Sequence, residues 1–342
     1  MSLLPTLARR SLALAAMAGL CAPASAQTVL TLSSWVPPAH TLTTGQIEWC
    51  EMLAKKVAGK VKCNALPRAV TAAPGTFDAV RNGLVDISFT VHGYTPGRFV
   101  LPQMVEFPFM GDSAEVTSVA FQRIYDKVPA FAEEHKGVKV LAVFTHGPGI
   151  VLNTKKPITK PEDLTGMKFR VGGGMVNEIA KLMGMNVTLK PAPESYELLS
   201  TGVMGGTLFP AESVEGFKID KVIKYATTFP GGLYNTSFVF MMNQAKYDAL
   251  PPDVKKAVDE MSGEFAARML GRGWDKVDRR GLAFMQAAGV NFTKADAAFI
   301  AAVKTKTGGL EDSWAKAAEA KGLKDAKKVL ADYRAEIAKL QK

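Results

Sequence analysis

Short apolar runs and stretches of helical periodicity alternate along the first half of the chain. Unbroken apolar runs, or apolar residues at every second position, predict strands, whereas apolar residues spaced three and four apart predict helices. We predict strands at 29–35, 61–66, 85–90, 139–144 and 150–153, and helices at 41–57, 76–82 and 115–131. This order of strands and helices is typical of an α/β fold.

One glycine-rich turn organises the middle of the chain. Residues 167–171 alternate apolar with basic side chains, which predicts a strand, and three glycines then lead into helical periodicity at 175–183. Arg170 is therefore expected near the carboxyl end of a strand, where ligands bind in open α/β sheets. A guanidinium there can hold a carboxylate through two parallel hydrogen bonds. The alternative is a surface ion pair with a nearby acidic residue.

The C-terminal half adds two further strands and a long helical pattern. The strands are predicted at 186–190 and 238–243, and Gly205 and Gly206 predict a turn between them. Apolar residues recur with helical spacing from 252 to 288, which predicts a long helix with soft points at Gly263, Gly271 and Gly273. The chain contains no internal repeat and no low-complexity linker.

Residues 1–26 have the features of an export signal. Arg9 and Arg10 form a basic start, and residues 11–20 are apolar but too few to span a bilayer. An Ala-Ser-Ala cleavage site ends the segment. The mature chain is therefore expected to begin near Gln27 and to reside in the periplasm.

The charge balance favours small anions over nucleic acid. The formal net charge is +10, and removal of the two arginines in the export signal would leave about +8. No basic block is interleaved with aromatic residues, as nucleic-acid binding would require. The lysine-rich C-terminal stretch also carries Glu and Asp, which is typical of a solvated helix face.

Two cysteines remain after the export signal, Cys50 and Cys63. In an oxidising compartment they are a candidate disulfide, and the alternative is a pair of buried thiols. Cys21 raises the question of a lipid anchor, but Leu20 precedes it where a small residue is expected. No spacing of Cys and His suggests a metal site.

Enzyme motifs are absent from the sequence. There is no Gly-x-Ser-x-Gly elbow, and the glycines at 172–174 lack both the P-loop Lys-Ser/Thr and the spacing of a dinucleotide fingerprint, so no cofactor is expected. His92 and His146 follow predicted strands and are candidates for ligand binding; the alternative is a loop histidine without a role. The strand-end aromatics are candidates to line an apolar pocket, with core packing as the alternative; they are Trp35, Tyr94, Phe209 and Tyr234.

The order of these motifs resembles the solute-binding subunit of TRAP transporters, the tripartite ATP-independent periplasmic transporters (DctP-like family). The resemblance covers nearly the whole mature chain and is carried by residues 82–87, 92–99, 161–171 and 194–203. The family's carboxylate-binding arginine falls on Arg170. The resemblance implies two α/β lobes with a ligand cleft between them and a long helix crossing both. It implies lobe I at 27–150 and 238–278, and lobe II at 151–237 and 279–342.

Two departures from the family pattern bear on the ligand. Phe209 falls near the position of an Asn that often touches the ligand, and no second arginine lies near 146–151. An organic monocarboxylate with an aromatic or branched apolar body is therefore expected, with a dicarboxylate or uronic acid as the alternative ligand. The candidate ligand-binding residues are Arg170, Trp35, His92, Tyr94, His146, Gly172, Phe209, Glu212, Tyr234 and Asn235.

The resemblance also implies a partner. A membrane permease of the TRAP type would accept the closed, loaded protein, and no chemical reaction on the ligand is expected. The alternative function is a periplasmic ligand-sensing protein that reports to a membrane receptor, since such a protein would use the same pocket.

Overall fold

Two β-sheets organise residues 27–341, the part of the chain that the computed structural model describes. The predicted export signal and its cleavage site lie outside these residues. The strands are β1 (Thr28–Leu32), β2 (Val61–Ala65), β3 (Ile87–Val91), β4 (Val138–Thr145), β5 (Ile150–Asn153), β6 (Lys168–Val171), β7 (Asn186–Leu189), β8 (Gly206–Phe209), β9 (Tyr225–Thr228), β10 (Ser237–Asn243) and β11 (Asn291–Lys294).

Helices cover both sheets. They are α1 (Thr41–Lys56), α2 (Thr76–Arg81), α3 (Ala114–Lys127), α4 (Ala130–Glu134), α5 (Met175–Leu182), α6 (Ser195–Ser200), α7 (Glu212–Gly216), α8 (Gln244–Asp248), α9 (Pro252–Glu260), α10 (Glu264–Ala287), α11 (Ala297–Thr307), α12 (Leu310–Ala320) and α13 (Ala326–Leu340).

Each sheet forms the centre of one lobe. Within residues 27–341, the first sheet has the order β2-β1-β3-β10-β4 and the second has the order β11-β9-β5-β8-β6-β7. Strand β10 runs antiparallel between β3 and β4, so the chain returns to the first lobe after it has built most of the second. The predicted two-lobed α/β fold is confirmed.

The long helix α10 connects the lobes. Its 24 residues span about 36 Å, and it packs on α1, α3 and β4 of the first lobe and on α7 of the second. Of the three soft points predicted in the helical pattern over 252–288, Gly263 is the one at which the helix is interrupted. This residue has a φ of +63° and its N–H donates to Leu141 O, which separates α9 from α10.

The C-terminal helices do not divide cleanly between the lobes. Helix α11 packs on α5 in the second lobe, whereas α13 packs on α3 in the first. One apolar cluster joins Phe121 of α3, Phe169 of β6, Ile179 of α5 and Tyr333 of α13. The residue bounds of the two lobes therefore stay a prediction, and the last two helices contact the first lobe more than those bounds suggest.

Strand β8 was missed because it begins with glycine. Gly206, predicted in a turn, pairs with Asn153 of β5 and Phe169 of β6 in the interior of the second sheet. A Cβ on Gly206 would lie 2.5 Å from the Phe169 ring, so this position requires glycine for packing rather than for a turn. Strands β9 and β11 were missed because their sequences, Tyr-Ala-Thr-Thr and Asn-Phe-Thr-Lys, form neither an apolar run nor a clear alternation of apolar and polar residues.

Cys50 of α1 and Cys63 of β2 form a disulfide, with their Cα atoms 6.0 Å apart. The bond ties the first helix to the edge strand of the first sheet. Among the described residues, no helix has the length and apolar character needed to cross a membrane.

We expect reduction of this disulfide to destabilise the protein. The bond closes a loop with a sequence separation of 13, for which the chain-entropy estimate is roughly 3 kcal/mol. Urea unfolding with and without dithiothreitol measures the effect. A variant with Cys50→Ala and Cys63→Ala is the control, because its midpoint should not respond to the reductant. An equal response of both proteins, or two free thiols in the unfolded, unreduced wild type, would contradict the prediction.

Candidate ligand-binding site

A cavity lies between the two lobes, at the ends of strands from both sheets. Most of its wall is apolar or aromatic, with few polar groups, which is the usual composition of a small-molecule site. The lining residues are Trp35, Val36, His40, Leu42, Val91, Tyr94, His146, Arg170, Gly172, Val176, Ala192, Leu208, Phe209, Pro210, Ser213, Phe217, Tyr234, Thr236, Phe238 and Trp274.

Arg170 is the buried cation of the cavity. It lies on β6, one residue before the strand ends, and only 2% of the residue is exposed. Its Nε donates to Lys190 O at 2.8 Å, which fixes the guanidinium, and its Cζ lies 4.5 Å from the centre of the Phe209 ring. Burial lowers the pKa of Arg170. No carboxylate within residues 27–341 forms an ion pair with it, so the predicted alternative of a surface ion pair does not describe this residue.

Tyr94 lies beside the guanidinium of Arg170, and its hydroxyl group can donate a hydrogen bond. Its oxygen accepts a hydrogen bond from Ala192 N–H at 2.9 Å, so the O–H can donate to a bound anion. Gly172 borders this corner, and a Cβ there would lie in van der Waals contact, 3.5 Å from both Arg170 Nη2 and the Tyr94 ring. Trp35 presents only its ring, because its Nε1 donates to Phe89 O.

Aromatic rings form a continuous wall that leads away from Arg170. Phe209 stacks on Phe217 with ring centres 5.5 Å apart, and Phe217 lies 5.3 Å from the ring of His40. His40 and His146 each lie 5.8 Å from Trp274. Tyr234, 5.4 Å from His146, completes the wall and affects the pKa of Arg170. A flat apolar ligand body can therefore contact rings on several sides.

Seven of the ten predicted ligand-binding residues line this cavity, and His92, Glu212 and Asn235 do not. His92 begins a one-turn 3₁₀-helix that ends at Tyr94, and the two side chains leave this turn on different sides. Tyr94 enters the cavity, whereas His92 points into the first lobe and contacts His135.

His92 belongs to a buried chain of hydrogen bonds. The donor–acceptor pairs run from Phe131 O through His135, His92 and Ser237 Oγ to Glu106 Oε1, at 2.8, 2.8, 3.0 and 2.6 Å. Four pairs need four hydrogens, but an ionised Glu106, two neutral histidines and one serine supply three. The chain therefore holds one more proton. Burial raises the pKa of Glu106 and lowers the pKa of both histidines, so burial favours the neutral form of all three side chains.

The lobes touch close to this chain. Glu106 Oε2 accepts a hydrogen bond from Met175 N–H at 2.8 Å, where α5 of the second lobe begins. Nearby, a Cβ on Gly93 would lie 2.6 Å from the carbonyl carbon of Gly173, so the two backbones are in direct contact. Gly173 has a φ of +94°, a conformation that favours glycine.

Glu212 lies behind the cavity wall and joins the lobes. Its Oε1 lies 3.1 Å from His40 Nε2, and Ser213 Oγ donates to its Oε2. His40 Nδ1 accepts a hydrogen bond from Leu42 N–H, so the ring hydrogen is on Nε2 and is donated to Glu212. Burial lowers the pKa of His40 to about 3 and raises that of Glu212 to about 8, so this contact is a hydrogen bond rather than an ion pair.

Asp278 of α10 adds a second buried acid next to Glu212. Its Oδ1 accepts a hydrogen bond from Glu212 N–H at 2.9 Å, whereas its buried Oδ2 has no hydrogen-bond partner among the described residues. Burial raises the pKa of Asp278 to about 7. Asn235 also lies outside the cavity, where its Nδ2 donates to His146 O and Gly147 O.

Sequence reasoning missed His40, Phe217 and Trp274 as lining residues. His40 and Phe217 follow ordinary loop patterns, and Trp274 lies in a helical stretch where an aromatic residue usually signals core packing. No local signal identifies them. Within residues 27–341, no three His, Cys, Asp or Glu side chains come together in a way that could hold a metal ion.

A cavity between two α/β lobes, with a buried cation and an aromatic wall, is typical of a binding protein for small organic acids. The profile of the family described as bacterial extracellular solute-binding protein, family 7 (DctP), matches residues 32–318. The chain belongs to this family, whose members are solute-binding proteins of TRAP transporters.

Three solved structures of TRAP solute-binding proteins resemble the chain. One from Bordetella bronchiseptica, with bound (R)-mandelate and (S)-mandelate, is 44% identical with a TM-score of 0.89 over 92% of this chain and 99% of that one. One from Rhodoferax ferrireducens, with copurified benzoate, is 30% identical with a TM-score of 0.86 over 91% and 98%. One from a marine metagenome, with 3-hydroxybenzoate, is 34% identical with a TM-score of 0.87 over 92% and 99%.

The buried acid Asp278 predicts a pH-dependent stability. Because its folded pKa of about 7 lies above its ordinary value of 3.8, its contribution to stability is full below about pH 4 and is lost as the pH rises through 7. Asp278→Asn keeps the Oδ1 acceptor and removes this titration. We therefore expect the melting temperature of the variant, relative to wild type, to increase from pH 4 to pH 7.

Thermal unfolding at several pH values measures this difference. Asp220→Asn is the control, because it removes a carboxyl group that makes no hydrogen bond or ion pair within residues 27–341. A difference between Asp278→Asn and wild type that stays constant over this range would contradict a raised pKa at Asp278.

Proposed function

We propose that the protein captures an aromatic monocarboxylic acid in the periplasm and delivers it, chemically unchanged, to a TRAP membrane permease. The observation that carries this proposal is the buried guanidinium of Arg170, which has no protein carboxylate as a partner and faces a wall of aromatic rings. A buried charge is costly unless it is paired, and a ligand carboxylate supplies the missing partner.

The charge of the cavity favours one carboxylate. Among the described residues that line it, Arg170 is the one charged basic side chain, because burial lowers the pKa of His40 to about 3 and of His146 to about 4. A second carboxylate would be buried without a cation, at a cost of several kcal/mol. Dicarboxylates are therefore disfavoured.

The rest of the wall favours an aromatic body over a sugar acid. A uronic acid carries several hydroxyl groups, each of which needs a hydrogen-bond partner when it is buried. Trp35 and Ser213 use their polar atoms within the protein, and Phe209, Phe217 and much of the remaining wall are apolar. An aromatic ring would instead gain apolar burial and ring contacts. The mandelate, benzoate and 3-hydroxybenzoate bound by the three similar structures support this ligand class.

Capture and delivery require closing and opening of the two lobes. The ligand favours the closed form only through the extra contacts that it makes there. The contact of Glu106 with the first residue of α5, and of His40 with Glu212, each joins the two lobes. A permease that binds the closed arrangement would accept the loaded protein.

The export step is tested by mass spectrometry of the periplasmic protein. The expected N-terminus is Gln27 or a residue next to it.

Arg170 is expected to supply most of the binding energy for benzoate. Arg170→Ala should cost about 2–5 kcal/mol, the range for removal of one partner from a buried charge pair. Arg170→Lys keeps the charge but loses the planar donor fork, so it should also bind poorly. Titration calorimetry measures both, with Arg279→Ala as a control because that arginine is exposed. Binding of benzoate to folded Arg170→Ala within about threefold of wild type would remove Arg170 from the site.

The ligand class predicts an order of thermal shifts. Benzoate, mandelate and 3-hydroxybenzoate should raise the melting temperature more than succinate, malate or glucuronate at equal concentration, because binding to the folded state alone stabilises it. The screen also includes phenylacetate as an aromatic acid with a longer arm. A largest shift with a C4-dicarboxylate or a uronic acid would show that the aromatic wall does not determine the ligand.

A further inference from the structure

We infer that His146 selects aromatic acids that carry a hydroxyl group, because it presents the bare lone pair of Nε2 to the cavity as a hydrogen-bond acceptor. This inference rests on the proposed function, since it concerns an aromatic carboxylate held by Arg170 in the same cavity. The inference adds one requirement to the ligand: its aromatic body should carry a hydrogen-bond donor that reaches His146 in the cavity wall.

The protein fixes which nitrogen of His146 carries the hydrogen. Nδ1 lies 2.5 Å from Gly147 O, and a carbonyl oxygen can only accept, so Nδ1 is the donor. Gly147 O is held in place by Asn235, whose Nδ2 donates to it at 3.1 Å and to His146 O at 3.0 Å. Asn235 is thus a positioning residue that sets the tautomer of His146.

The other nitrogen, Nε2, makes no hydrogen bond within residues 27–341, and the ring lines the cavity. The ring is 4% exposed, and burial lowers the pKa of His146 to about 4, so it is neutral at periplasmic pH. A neutral imidazole with its hydrogen on Nδ1 can only accept at Nε2. Nε2 is not among the buried atoms without a partner, so it is accessible from the empty cavity. A ligand that fills the cavity buries this acceptor, and leaving it without a partner is then costly, so a ligand that donates there gains over one that does not.

Most other polar groups of the wall are occupied or belong to residues beside Arg170, as the Tyr94 and Tyr234 hydroxyl groups do, and Thr236 is the exception. Trp35 donates to Phe89 O, and Ser213 donates to Glu212. Tyr94 lies next to Arg170 and can donate to the carboxylate. Thr236 also lines the cavity with a hydroxyl group, and it is the alternative acceptor that an experiment must separate from His146.

The position of His146 suits a hydroxyl on the ligand body. Its ring lies 5.4 Å from that of Tyr234, which lies close enough to Arg170 to affect its pKa, so one aromatic side chain separates His146 from the carboxylate site. A hydroxyl on the ligand ring or on the carbon that joins ring to carboxylate has the required donor. The two arrangements share the same chemistry and are distinguished by the choice of ligand pair.

Titration calorimetry with matched ligands tests the inference. The pairs are 3-hydroxybenzoate with benzoate, and mandelate with phenylacetate. In at least one pair, wild type should bind the hydroxylated acid about tenfold more tightly, as expected when a buried acceptor is satisfied. For the ring pair, 3-methoxybenzoate should show no such gain, because a methoxy group accepts but cannot donate. A preference in the benzoate pair would place the hydroxyl on the ligand ring, and a preference in the mandelate pair would place it on the carbon between ring and carboxylate.

Variants assign the preference to His146. His146→Phe should bring the ratio within each pair close to one. The ratio is the readout, because His146 lines the cavity and its replacement can also lower the affinity for both acids of a pair alike. His146→Gln, which retains an acceptor, should recover part of the preference. Thr236→Val is the matched control and should keep it.

The outcomes separate this inference from the proposed function. If wild type binds none of the four acids, the proposed function fails and the inference fails with it. If wild type binds benzoate and phenylacetate well but does not prefer either hydroxylated partner, the inference alone is overturned. It is also overturned if the preference survives in His146→Phe, or if Thr236→Val abolishes it.

Discussion

The buried guanidinium of Arg170 is the constraint on which the organisation of the cavity depends. A cation removed from water and left without a carboxylate raises the free energy of the empty, closed protein, and an organic anion lowers it. Under the proposed function, the same unpaired charge would provide both affinity for the ligand and a reason for the lobes to separate without it. The hydrogen bond from Arg170 Nε to Lys190 O holds the side chain in one orientation when no ligand is bound. Phe209 below the guanidinium adds a cation–π contact that does not compete with the anion.

Burial has a different effect on Glu212 and Asp278, the two acids behind the cavity wall, because it raises their pKa values. Glu212 and Asp278 lie at the junction of α7, α10 and the loop before α1, where few neighbours can neutralise them. Both have raised pKa values, so near neutral pH Glu212 is mostly protonated and Asp278 is partly protonated. A neutral Glu212 can still hydrogen-bond His40 across the lobes without introducing a negative charge that would compete with the ligand for Arg170.

The local parts of the site were predictable from sequence, whereas the non-local parts were not. Arg170 was identified because alternation, a glycine turn and a helix follow one another within a few residues, and that order fixes the end of a strand. His92 was placed wrongly in the cavity because sequence order does not tell which side of a single helical turn faces a cleft. Trp274 was missed because its role depends on the crossing of α10 between the lobes, which no pattern within the helix encodes.

The backbone contact between Gly93 and Gly173 has a consequence for how ligands are measured. Where lobes meet through side chains, rotamers can adjust and the closed gap can follow the size of its contents. Peptide groups that touch directly have no such freedom, so closure ends at one separation. The contact between the two backbones therefore limits how closely the lobes can approach beside Gly172 of the cavity wall. A ligand would then have to fit this spacing between the lobes with its body as well as carry a carboxylate for Arg170.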